Sequence, residues 1–580
     1  MLRGRHPTDT LHASFLGRLA SILERAARSC LSSAEPRSNG AGHTPAPFLG
    51  LSILAEILSG NNPAQNGFCS VCAKWYIYTT RRSRAWWFKR PSGLPPGPPR
   101  TLLGDNRADV SAKHPWKTFT EWNKTYGPVC SLYLGRTPVI VLGSAQAAWD
   151  LLDKRSDIYS GRPRSIMAGE ILSWGVRAIT MPYGARYKRW RALMQASLNS
   201  TAVAQYRPLQ SLESKLFLRK LLDVKDSMEY RGHLSVFQMS VIFRLAYGRR
   251  VRTLQDDIVI ANMKAGANFG SLQVPGKYLV ESWPILLWLP HRLQWFRHDV
   301  EKARQKNLEL YMGLLNRVRK QMADGTAQPS MATFGLSKQQ EFGLTDLEMA
   351  YTLAGPWDAG VGTTVISIEV FILAMLHYPD VMKKAQAEID KVVGFSRIPE
   401  YDDMESLPYV NALMKEVARW RPVARTGFPH QLTKDDTYNG YFLPKGATVY
   451  ANINAIMQDP ELFADPEVFR PERFLETTHP KLQNFTIHFG FGRRICPGMH
   501  IANQSVFIIL ARLLWAFDIV PAVGEDGKPV IPPDDDFVSG LITRPVPFPC
   551  AFKVRNKVVE ELIVLEADRA EAEAARWDSN

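Results

Sequence analysis

Apolar residues recur at helical spacing along most of the chain beyond residue 100, so the sequence predicts a mainly α-helical protein. The longest helix is predicted over residues 346–377, because a capping box of Thr345 and Glu348 opens the apolar run and Pro379 closes it. Such a helix is about 48 Å long, enough to cross a whole domain. Short alternating segments predict strands at residues 129–134 and 138–142, and hairpin-like pieces near residues 438–442 and 448–451.

Changes in composition divide the chain into four parts. Residues 1–90 form an N-terminal extension. Residues 91–99 read PSGLPPGPP, and prolines at this density form a stiff extended spacer rather than a helix or a central strand. Residues 100–553 contain no further low-complexity linker and no internal repeat, so we expect a single large domain. Residues 554–580 are expected to form a charged, solvated helical tail.

The overall composition excludes several classes of protein. The 580 residues are 45% hydrophobic and 22% charged, which excludes disordered, collagen-like and polytopic membrane proteins. Six cysteines in a chain of this length cannot form a disulfide framework, and they favour a reducing compartment. The net charge of +15 is concentrated in the first hundred residues, which hold thirteen basic and four acidic side chains. That local excess favours an anionic partner such as membrane lipid, and because no nucleic-acid-binding motif is found we expect no nucleic-acid partner.

The N-terminal extension predicts a membrane-anchor region without a clear transmembrane helix. Its apolar runs at residues 48–58 and 68–78 are shorter than the roughly 20 residues that span a bilayer. Residues 81–90 mix arginine, lysine and tryptophan, which is typical of a cytoplasmic membrane interface and favours the endoplasmic reticulum. Two alternatives stay open. The arginine-rich residues 11–31 also fit a mitochondrial presequence, and the whole extension also fits an error in the gene model.

The most specific chemical feature is the loop FGFGRRICPG at residues 489–498, which contains Cys496. Two arginines precede the cysteine and an apolar helical run follows it, so the sulfur lies near positive charge and near the positive end of a helix. Gly492 and Gly498 permit close approach of the backbone, and Pro497 stiffens the turn. These features make Cys496 a candidate thiolate ligand of haem iron, with a structural buried cysteine as the alternative.

This loop resembles the haem-binding loop of the cytochrome P450 superfamily in its fixed letters, which are Phe489, Gly492, Arg494, Cys496 and Gly498. The resemblance covers about residues 100–553, because three further motifs precede the loop in the chain, in the order in which the family has them. It implies the cytochrome P450 fold, which is mainly α with small β-sheets and has a long central helix crossing the haem. It also implies haem b, with Cys496 as the axial ligand of the iron and the other four residues around the cofactor.

The first of the three motifs is Glu416-x-x-Arg419 on a predicted helix. The i, i+3 spacing puts both side chains on one face, where an ordinary surface ion pair is the alternative interpretation. The resemblance implies instead a buried pair that reaches Arg473 in the segment PERF, residues 471–474. Such a group would be structural and would hold the core behind the haem.

The second motif is AGVGTT, residues 359–364, inside the long predicted helix. Each glycine destabilises the helix by roughly 1 kcal/mol, so we expect a local widening that admits oxygen and water. The resemblance implies that Thr363 is the oxygen-activating threonine. The family usually has an acid directly before it, where this chain has Gly362, so Asp358 or ordered water is expected to supply the proton route. Pro356 is expected to kink the helix one turn earlier.

The third motif is Trp190-Arg191, which resembles the pair that contacts a haem propionate. Three positions further on, where the family often has another basic residue, this chain has Met194. The resemblance therefore implies that the propionate is held by Arg191, Arg494 and His430, each a donor suited to a carboxylate. As isolated residues, each of them would be interpreted as a surface side chain.

Together these residues predict a haem-thiolate monooxygenase that inserts one oxygen atom from O2 into an apolar small molecule. The resemblance implies that the electrons come from NADPH through a flavoprotein, the NADPH–cytochrome P450 reductase, with cytochrome b5 as an optional second partner. The substrate pocket is expected between four segments, residues 164–180, 354–364, 423–428 and 538–543.

Three shorter segments, at residues 159–162, 274–277 and 544–548, resemble the fungal branch that includes O-methylsterigmatocystin oxidoreductase. That resemblance implies a tailoring step in secondary metabolism of terpenoid, polyketide or indole type. Two alternatives stay open. Gly362 also fits a haem-thiolate isomerase or dehydratase that needs no reductase, and the irregular N-terminus also fits a non-catalytic haem-binding paralogue.

Overall fold

The structure is a computed structural model that describes residues 93–99, 105–111, 113–135, 137–274, 276–538, 540 and 542–578. The predicted membrane-anchor region, residues 1–90, lies outside the described residues, as do the first two residues of the proline-rich spacer. In the described part of the spacer, residues 94–99 form neither helix nor strand.

The described residues are mainly helical, as the sequence predicts. Eleven of their helices have twelve or more residues: α1 (Pro115–Tyr126), α2 (Ala185–Leu198), α3 (Arg207–Leu222), α4 (Tyr230–Tyr247), α5 (Asp257–Leu272), α6 (His298–Ala323), α7 (Asp346–His377), α8 (Pro379–Val392), α9 (Pro408–Trp420), α10 (Met499–Ala516) and α11 (Lys557–Asp578). Shorter helices lie at Ala145–Ala148, Ser156–Tyr159, Ser200–Ala204, Leu279–Ser282, Met331–Ser337, Gln339–Phe342, Ile453–Met457, Arg473–Glu476 and Pro480–Gln483.

The strands are short and form small sheets: β1 (Val129–Leu134), β2 (Thr137–Leu142), β3 (His430–Gln431), β4 (Asp436–Tyr438), β5 (Tyr441–Leu443), β6 (Thr448–Ala451), β7 (Phe517–Val523), β8 (Pro529–Val530), β9 (Phe537–Val538), β10 (Arg544–Pro545) and β11 (Cys550–Val554). The largest sheet has the order β1-β2-β6-β3, in which β1 and β2 are antiparallel and β2 and β6 are parallel. The two predicted strands are therefore confirmed. Of the two predicted hairpin-like pieces, the first is the hairpin of β4 and β5, whereas the second is the single strand β6, which pairs with β2 and β3.

α7 is the central helix of the core, and its bounds are those predicted. The Thr345 hydroxyl accepts a hydrogen bond from the Glu348 N–H at 3.2 Å, and the Glu348 carboxylate accepts one from the Thr345 N–H at 2.9 Å. This reciprocal capping box fixes the start of the helix. The helix continues past Pro356, and its C-terminal half belongs to a large apolar cluster shared with α9 and α10.

Two described helices, α7 and α10, are long and apolar enough to cross a membrane by length and composition alone. Their most apolar windows are 72% and 78% buried inside the protein, so we assign both helices to the core.

The C-terminal helix differs from its prediction. It is helical, but it is not a solvated tail, because its Val559 and Ile563 side chains belong to the main core and Ala570 and Ala574 pack against Leu212 of α3. The apolar contacts are accompanied by ion pairs, such as that between Lys215 and Glu566 at 2.8 Å. The error has a simple physical cause: alanines form most of the buried stripe, and their small side chains give a weak hydrophobic pattern among many charges.

Candidate functional site

Cys496 lies in a tight loop, residues 489–498, that ends where α10 begins. Its backbone N–H donates a hydrogen bond to the carbonyl oxygen of Phe489 at 3.0 Å, which folds the loop back on itself. Gly492 has a positive φ of 56°, and its N–H donates to a carboxylate oxygen of Asp153 at 2.5 Å. The sequence thus places Cys496 directly before the N-terminus of a long helix, where partial positive charge accumulates.

The side chain of Cys496 is half-buried. Burial raises the pKa of its thiol, whereas the N–H of Gly498 and the charge of Arg191 lower this pKa. These two groups favour the thiolate against the cost of burial, and coordination of a metal ion would favour it much further. The chemistry of this sulfur therefore fits an axial ligand to iron.

Arg162 and His430 are buried beside the half-buried Arg494 of the loop, and we call these three residues the cation cluster. Burial lowers the pKa of Arg162 to about 9, and the charge of Arg494 adds to the effect. Burial and the charge of Arg162 likewise lower the pKa of His430 to about 3. The Nε of Arg162 is buried and has no hydrogen-bond partner among the residues that the structure describes. A carboxylate fits this cluster because it supplies the acceptor oxygens and the negative charge, so the haem propionates are suitable ligands.

The sequence motifs assign no role to Arg162, although it ends the segment 159–162. Its neighbour Gly161 forms a backbone bridge with Gln431, the residue after His430. A Cβ atom at position 161 would lie 2.5 Å from the carbonyl oxygen of Gln431, so this approach requires glycine. A glycine directly before an arginine is the one sequence signal of the arrangement.

Helix α2 also contacts the cysteine loop, and the centroid of its Tyr187 ring lies 3.8 Å from the guanidinium carbon of Arg494. Nη1 of Arg191 donates to the carbonyl oxygen of Ile495 at 2.6 Å, and the Tyr187 hydroxyl donates to that of Arg493 at 3.0 Å. Trp190 packs against Tyr187, with 5.3 Å between the ring centroids. A cleft with a volume of about 340 Å³ lies here, and it is lined by Tyr183, Tyr187, Lys188, Arg191, Ala192, Gln195 and Arg493.

Glu416, Arg419 and Arg473 meet in the interior, with side chains that are 0%, 1% and 5% exposed. Arg419 donates two hydrogen bonds to the Glu416 carboxylate, from Nε at 2.7 Å and from Nη2 at 2.8 Å. Nε of Arg473 lies 3.2 Å from one oxygen of the same carboxylate. Their remaining donors reach backbone carbonyl oxygens, including that of Val468 at 2.7 Å from Arg473. The arrangement is a fully hydrogen-bonded structural core, not a surface pair.

Helix α7 is buried along most of its length but has one open face near its middle. The neighbours Asp358 and Ala359 are exposed there, as is Gly362 about one helical turn further on, and a Cβ at Gly355 would meet no atom within 4 Å. The other side of the helix is packed, because a Cβ at Gly360 would lie 3.0 Å from Ile242 of α4. The small residues of the motif therefore leave space on one side only.

Thr363 lies at the edge of this open face. Its hydroxyl donates a hydrogen bond to the carbonyl oxygen of Ala359 at 2.7 Å, one turn earlier in the helix. A Cβ at Gly362 would lie at an ordinary contact distance of 3.5 Å from Ile542. Packing therefore does not require glycine here, and the space beside Gly362 is open. Asp358 lies on the same face one turn before Gly362, where Nη1 of Arg177 lies 2.8 Å from its Oδ2.

The four segments expected to line the pocket are brought together around α7. Arg177, from residues 164–180, pairs with Asp358 of the helix. Ile542 lies next to Gly362, and the neighbouring Thr543 donates its N–H to the carbonyl oxygen of Val423 at 2.8 Å. Contacts between distant segments of this kind enclose a site at the middle of the helix.

Comparisons with known proteins agree with these features. The family model described as Cytochrome P450 matches residues 95–548. The chain is 41% identical to cytochrome P450 monooxygenase 58 of Postia placenta over 82% of this chain and 92% of the relative. It is 37% identical to cytochrome P450 monooxygenase aneD of Aspergillus aculeatus over 82% and 90%. A solved zebrafish cytochrome P450 with progesterone shares the fold, with a TM-score of 0.64, 24% identity, and coverage of 76% of this chain and 99% of that chain.

Proposed function

The chain belongs to the cytochrome P450 family and is a cytochrome P450 monooxygenase, and from that premise we propose its reaction, partners and location. It transfers one oxygen atom from O2 to an apolar small molecule, with the balance RH + O2 + NADPH + H⁺ → ROH + H2O + NADP⁺. The observation that carries this proposal is Cys496, held before the N-terminus of α10 beside the cation cluster.

The cysteine loop and the cation cluster are proposed to hold haem b. When bound through the Cys496 thiolate, haem supplies the one-electron iron chemistry that cleaves the O–O bond. Arg162, Arg191 and Arg494 bind the propionates, and Arg191 also supports the loop through the Ile495 carbonyl. Nδ1 of His430 donates to the Tyr159 carbonyl, so its Nε2 donates to a propionate only once the charge of the bound carboxylate favours protonation of the ring. Phe489, Gly492 and Gly498 shape the backbone on which the sulfur is presented.

The open face of α7 is proposed to be the oxygen and substrate side of the site. Rotation about the Cα–Cβ bond of Thr363 turns its hydroxyl from the Ala359 carbonyl toward this face, where it holds a proton at Oγ1. Because Gly362 supplies no carboxylate, ordered water in the space beside it delivers protons to Thr363. Asp358, one turn away on the same face, is the acid nearest to that water along the helix and the alternative to it as a proton source.

The proposed partners are a membrane-bound NADPH–cytochrome P450 reductase and, optionally, cytochrome b5. The proposed location is the cytoplasmic face of the endoplasmic reticulum, with residues 1–90 as the anchor region, residues 91–99 as its hinge and residues 100–553 as the catalytic domain. Support comes from an exposed apolar stretch at residues 279–295, in which Trp283, Trp288 and Trp295 are 52%, 84% and 52% exposed. Exposed tryptophans at this density are typical of a membrane-contacting surface.

A carbon monoxide difference spectrum of the reduced protein tests the proposal. We expect a Soret band at the position typical of a thiolate-ligated iron, and we expect Cys496→Ala to remove it. Cys130→Ala and Cys550→Ala are matched controls, because both thiols are buried and lie outside the loop. A Cys496→Ala protein that keeps the band would contradict the assignment.

Two further measurements define the reaction class and the substrate. A metabolite that accumulates in a knockout strain but not in its parent strain identifies the substrate. We propose that this substrate is an intermediate of secondary metabolism. Conversion of that substrate is expected to need NADPH and reductase. Conversion without them would favour the isomerase or dehydratase alternative, which the absence of an acid at Gly362 also fits.

A further inference from the structure

Asp358 is the charged residue on an otherwise small and apolar stretch of the open face, which also contains Gly355, Ala359 and Gly362. Most of α7 around this face is buried. A carboxylate in such surroundings is costly unless it is paired and hydrogen-bonded. Its position on the proposed substrate side therefore calls for a partner within the protein and a role toward the ligand.

The partner is Arg177, which aromatic side chains hold in place. The guanidinium of Arg177 lies 4.3 Å from the ring centroid of Phe269, and its Nη2 donates to the Tyr311 hydroxyl at 3.3 Å. Tyr311 itself packs edge-to-face on Tyr351, with 5.1 Å between the centroids. The Arg177 side chain is only 8% exposed, and its Nε has no hydrogen-bond partner within the described residues. This arginine is thus fixed before a ligand binds.

The carboxylate of Asp358 has one acceptor oxygen left. Nη1 of Arg177 lies 2.8 Å from Oδ2 and pairs with it. In the described part of the chain, no residue donates a hydrogen bond to Oδ1. The Asp358 side chain keeps an exposure of 18%. A carboxylate oxygen accepts hydrogen bonds and donates none, so the complementary group on a ligand is a donor.

The charge balance of the pair selects the kind of donor. Arg177 already neutralises Asp358, so a cationic ligand would place a second positive charge beside a buried arginine. An anionic ligand would have to displace Asp358 and leave its charge unpaired, which is expensive in the interior. A hydroxyl group adds no charge and satisfies Oδ1, so it is the group that the site fits best.

We propose that Asp358, positioned by Arg177, accepts a hydrogen bond from a hydroxyl group of the substrate. This inference rests on the proposed monooxygenase function and names its substrate class, an otherwise apolar molecule that already carries an alcohol. The enzyme then acts after a step that installs that alcohol, either a hydration or an earlier hydroxylation. Its own product is more highly oxygenated than the alcohol it receives.

The test compares hydrocarbons with their alcohols by equilibrium dialysis against the haem-loaded full chain. The probes are adamantane with 1-adamantanol and 5α-androstane with 5α-androstan-3β-ol, two rigid pairs that differ in one hydroxyl group. We expect Asp358→Leu to lower the affinity for the better-bound alcohol, relative to its hydrocarbon, by about tenfold or more. Asp358→Asn keeps an acceptor oxygen, so we expect an intermediate ratio.

Asp346→Asn is the matched control, because Asp346 also pairs with an arginine, Arg319, but lies at the start of α7. It is expected to leave the affinity ratio unchanged. If Asp358→Leu weakens alcohol and hydrocarbon equally, the pair only anchors the loop and the inference is overturned. The inference is also overturned if the wild-type protein binds neither alcohol more tightly than the matching hydrocarbon, or binds none of the four probes.

The carbon monoxide spectrum shows whether each protein is folded and holds haem, independently of whether Asp358 contacts a hydroxyl group. A wild-type chain without the thiolate Soret band counts against the proposed function, not against the hydroxyl contact. If Asp358→Leu alone loses the band, the double variant Asp358→Leu/Arg177→Met replaces it, since removing both charges avoids an unpaired buried ion. The expected loss of alcohol preference is the same for the double variant.

Discussion

Gly492 lies directly against the backbone carbonyl oxygen of Leu152, so close that no Cβ atom fits between them. The contact joins the cysteine loop to the helical turn Trp149–Lys154, and Asp153 of that turn accepts the Gly492 N–H. The positive φ of Gly492 gives a second reason for glycine at this position. The placement of Cys496 therefore depends on a backbone contact four residues before it.

Gly492→Ala is expected to displace the loop and to lower the haem bound per polypeptide chain severalfold or more. The reason is a clash with backbone atoms, which cannot rotate away as a side chain can. Haem content is measured by pyridine haemochrome absorbance against protein concentration. Gly266→Ala is the control, since a Cβ there meets nothing within 4 Å. Full haem loading of Gly492→Ala would show that the loop tolerates the shift.

Glu416→Gln is expected to lower the free energy of unfolding by about 3–5 kcal/mol, because it leaves Arg419 and Arg473 buried without a carboxylate partner. Arg419→Leu is expected to cost less, because Arg473 stays paired with Glu416. The comparison pair is Glu121 and Lys124, which has the same i, i+3 spacing but side chains that are 70% and 67% exposed. Glu121→Gln is expected to cost at most about 1 kcal/mol. Urea titration followed by circular dichroism gives both values, and equal losses would rule out the distinction between buried and exposed pairs.

Thr363→Ala is expected to separate NADPH consumption from product formation. Without the hydroxyl, proton delivery on the open face fails, so product per NADPH falls by about tenfold or more while hydrogen peroxide rises. Thr352→Ala is the matched control, because the Thr352 hydroxyl makes the same kind of bond, to the Glu348 carbonyl at 2.6 Å. The proposed role fails if the two variants give the same product yield per NADPH.

His488 is expected to make stability fall in mildly acidic solution. Burial lowers the pKa of His488 from 6.5 to about 3, so between these values the unfolded chain takes up a proton that the folded chain does not. The contribution of the neutral ring is complete above pH 6.5 and is lost as the pH falls toward 3. At pH 5 the loss is up to about 2 kcal/mol.

The measurement is the melting temperature at pH 7.5 and pH 5 for the wild type and for His488→Phe, which keeps the aromatic contacts to Phe485 and Phe489. The drop between the two pH values is expected to be smaller in the variant. His298→Gln serves as the control, because that side chain is 72% exposed. Identical drops in all three proteins would exclude His488 as the titrating group.

The exposed stretch at residues 279–295 is expected to add to membrane binding. Deletion of residues 1–90 should weaken cosedimentation with phosphatidylcholine–phosphatidylserine vesicles without abolishing it. In the chain that lacks residues 1–90, replacement of Trp283, Trp288 and Trp295 by serine should remove most of the remaining vesicle binding. Serine at Val468, Val523 and Leu565, which are also exposed, is the control and should change little. Undiminished binding of the tryptophan variant would assign membrane contact elsewhere.

Much of the site could be predicted because its parts lie at fixed short spacings in the chain. The loop around Cys496, the pair Glu416 and Arg419, and the capping box of α7 each occupy fewer than a dozen consecutive residues. Local spacing determines which side chains share a turn or a helix face, so these features can be recognised without knowledge of the fold.

The parts that could not be predicted depend on pairing between distant segments. Arg162 reaches the cation cluster through a bridge between Gly161 and Gln431, and Arg177 reaches Asp358 from another segment altogether. The hydrophobic periodicity of the sequence carries no information about contacts between residues so far apart in the chain. The burial of α11 was missed for a different reason, since a stripe of alanines is difficult to distinguish from a solvated helix.

The crowding of like charges in the cation cluster has a consequence for the life of the protein in the cell. Arg162 and Arg494 repel each other, beside a neutral His430, until an anionic group lies between them, so the proposed cofactor stabilises the folded chain by mass action. A shortage of porphyrin or iron would then lower the amount of folded enzyme in the cell, while the turnover number of each haem-loaded molecule stays the same. Chains made under such a shortage would open more often and be cleared by proteases, so nutrient supply would set how much enzyme accumulates.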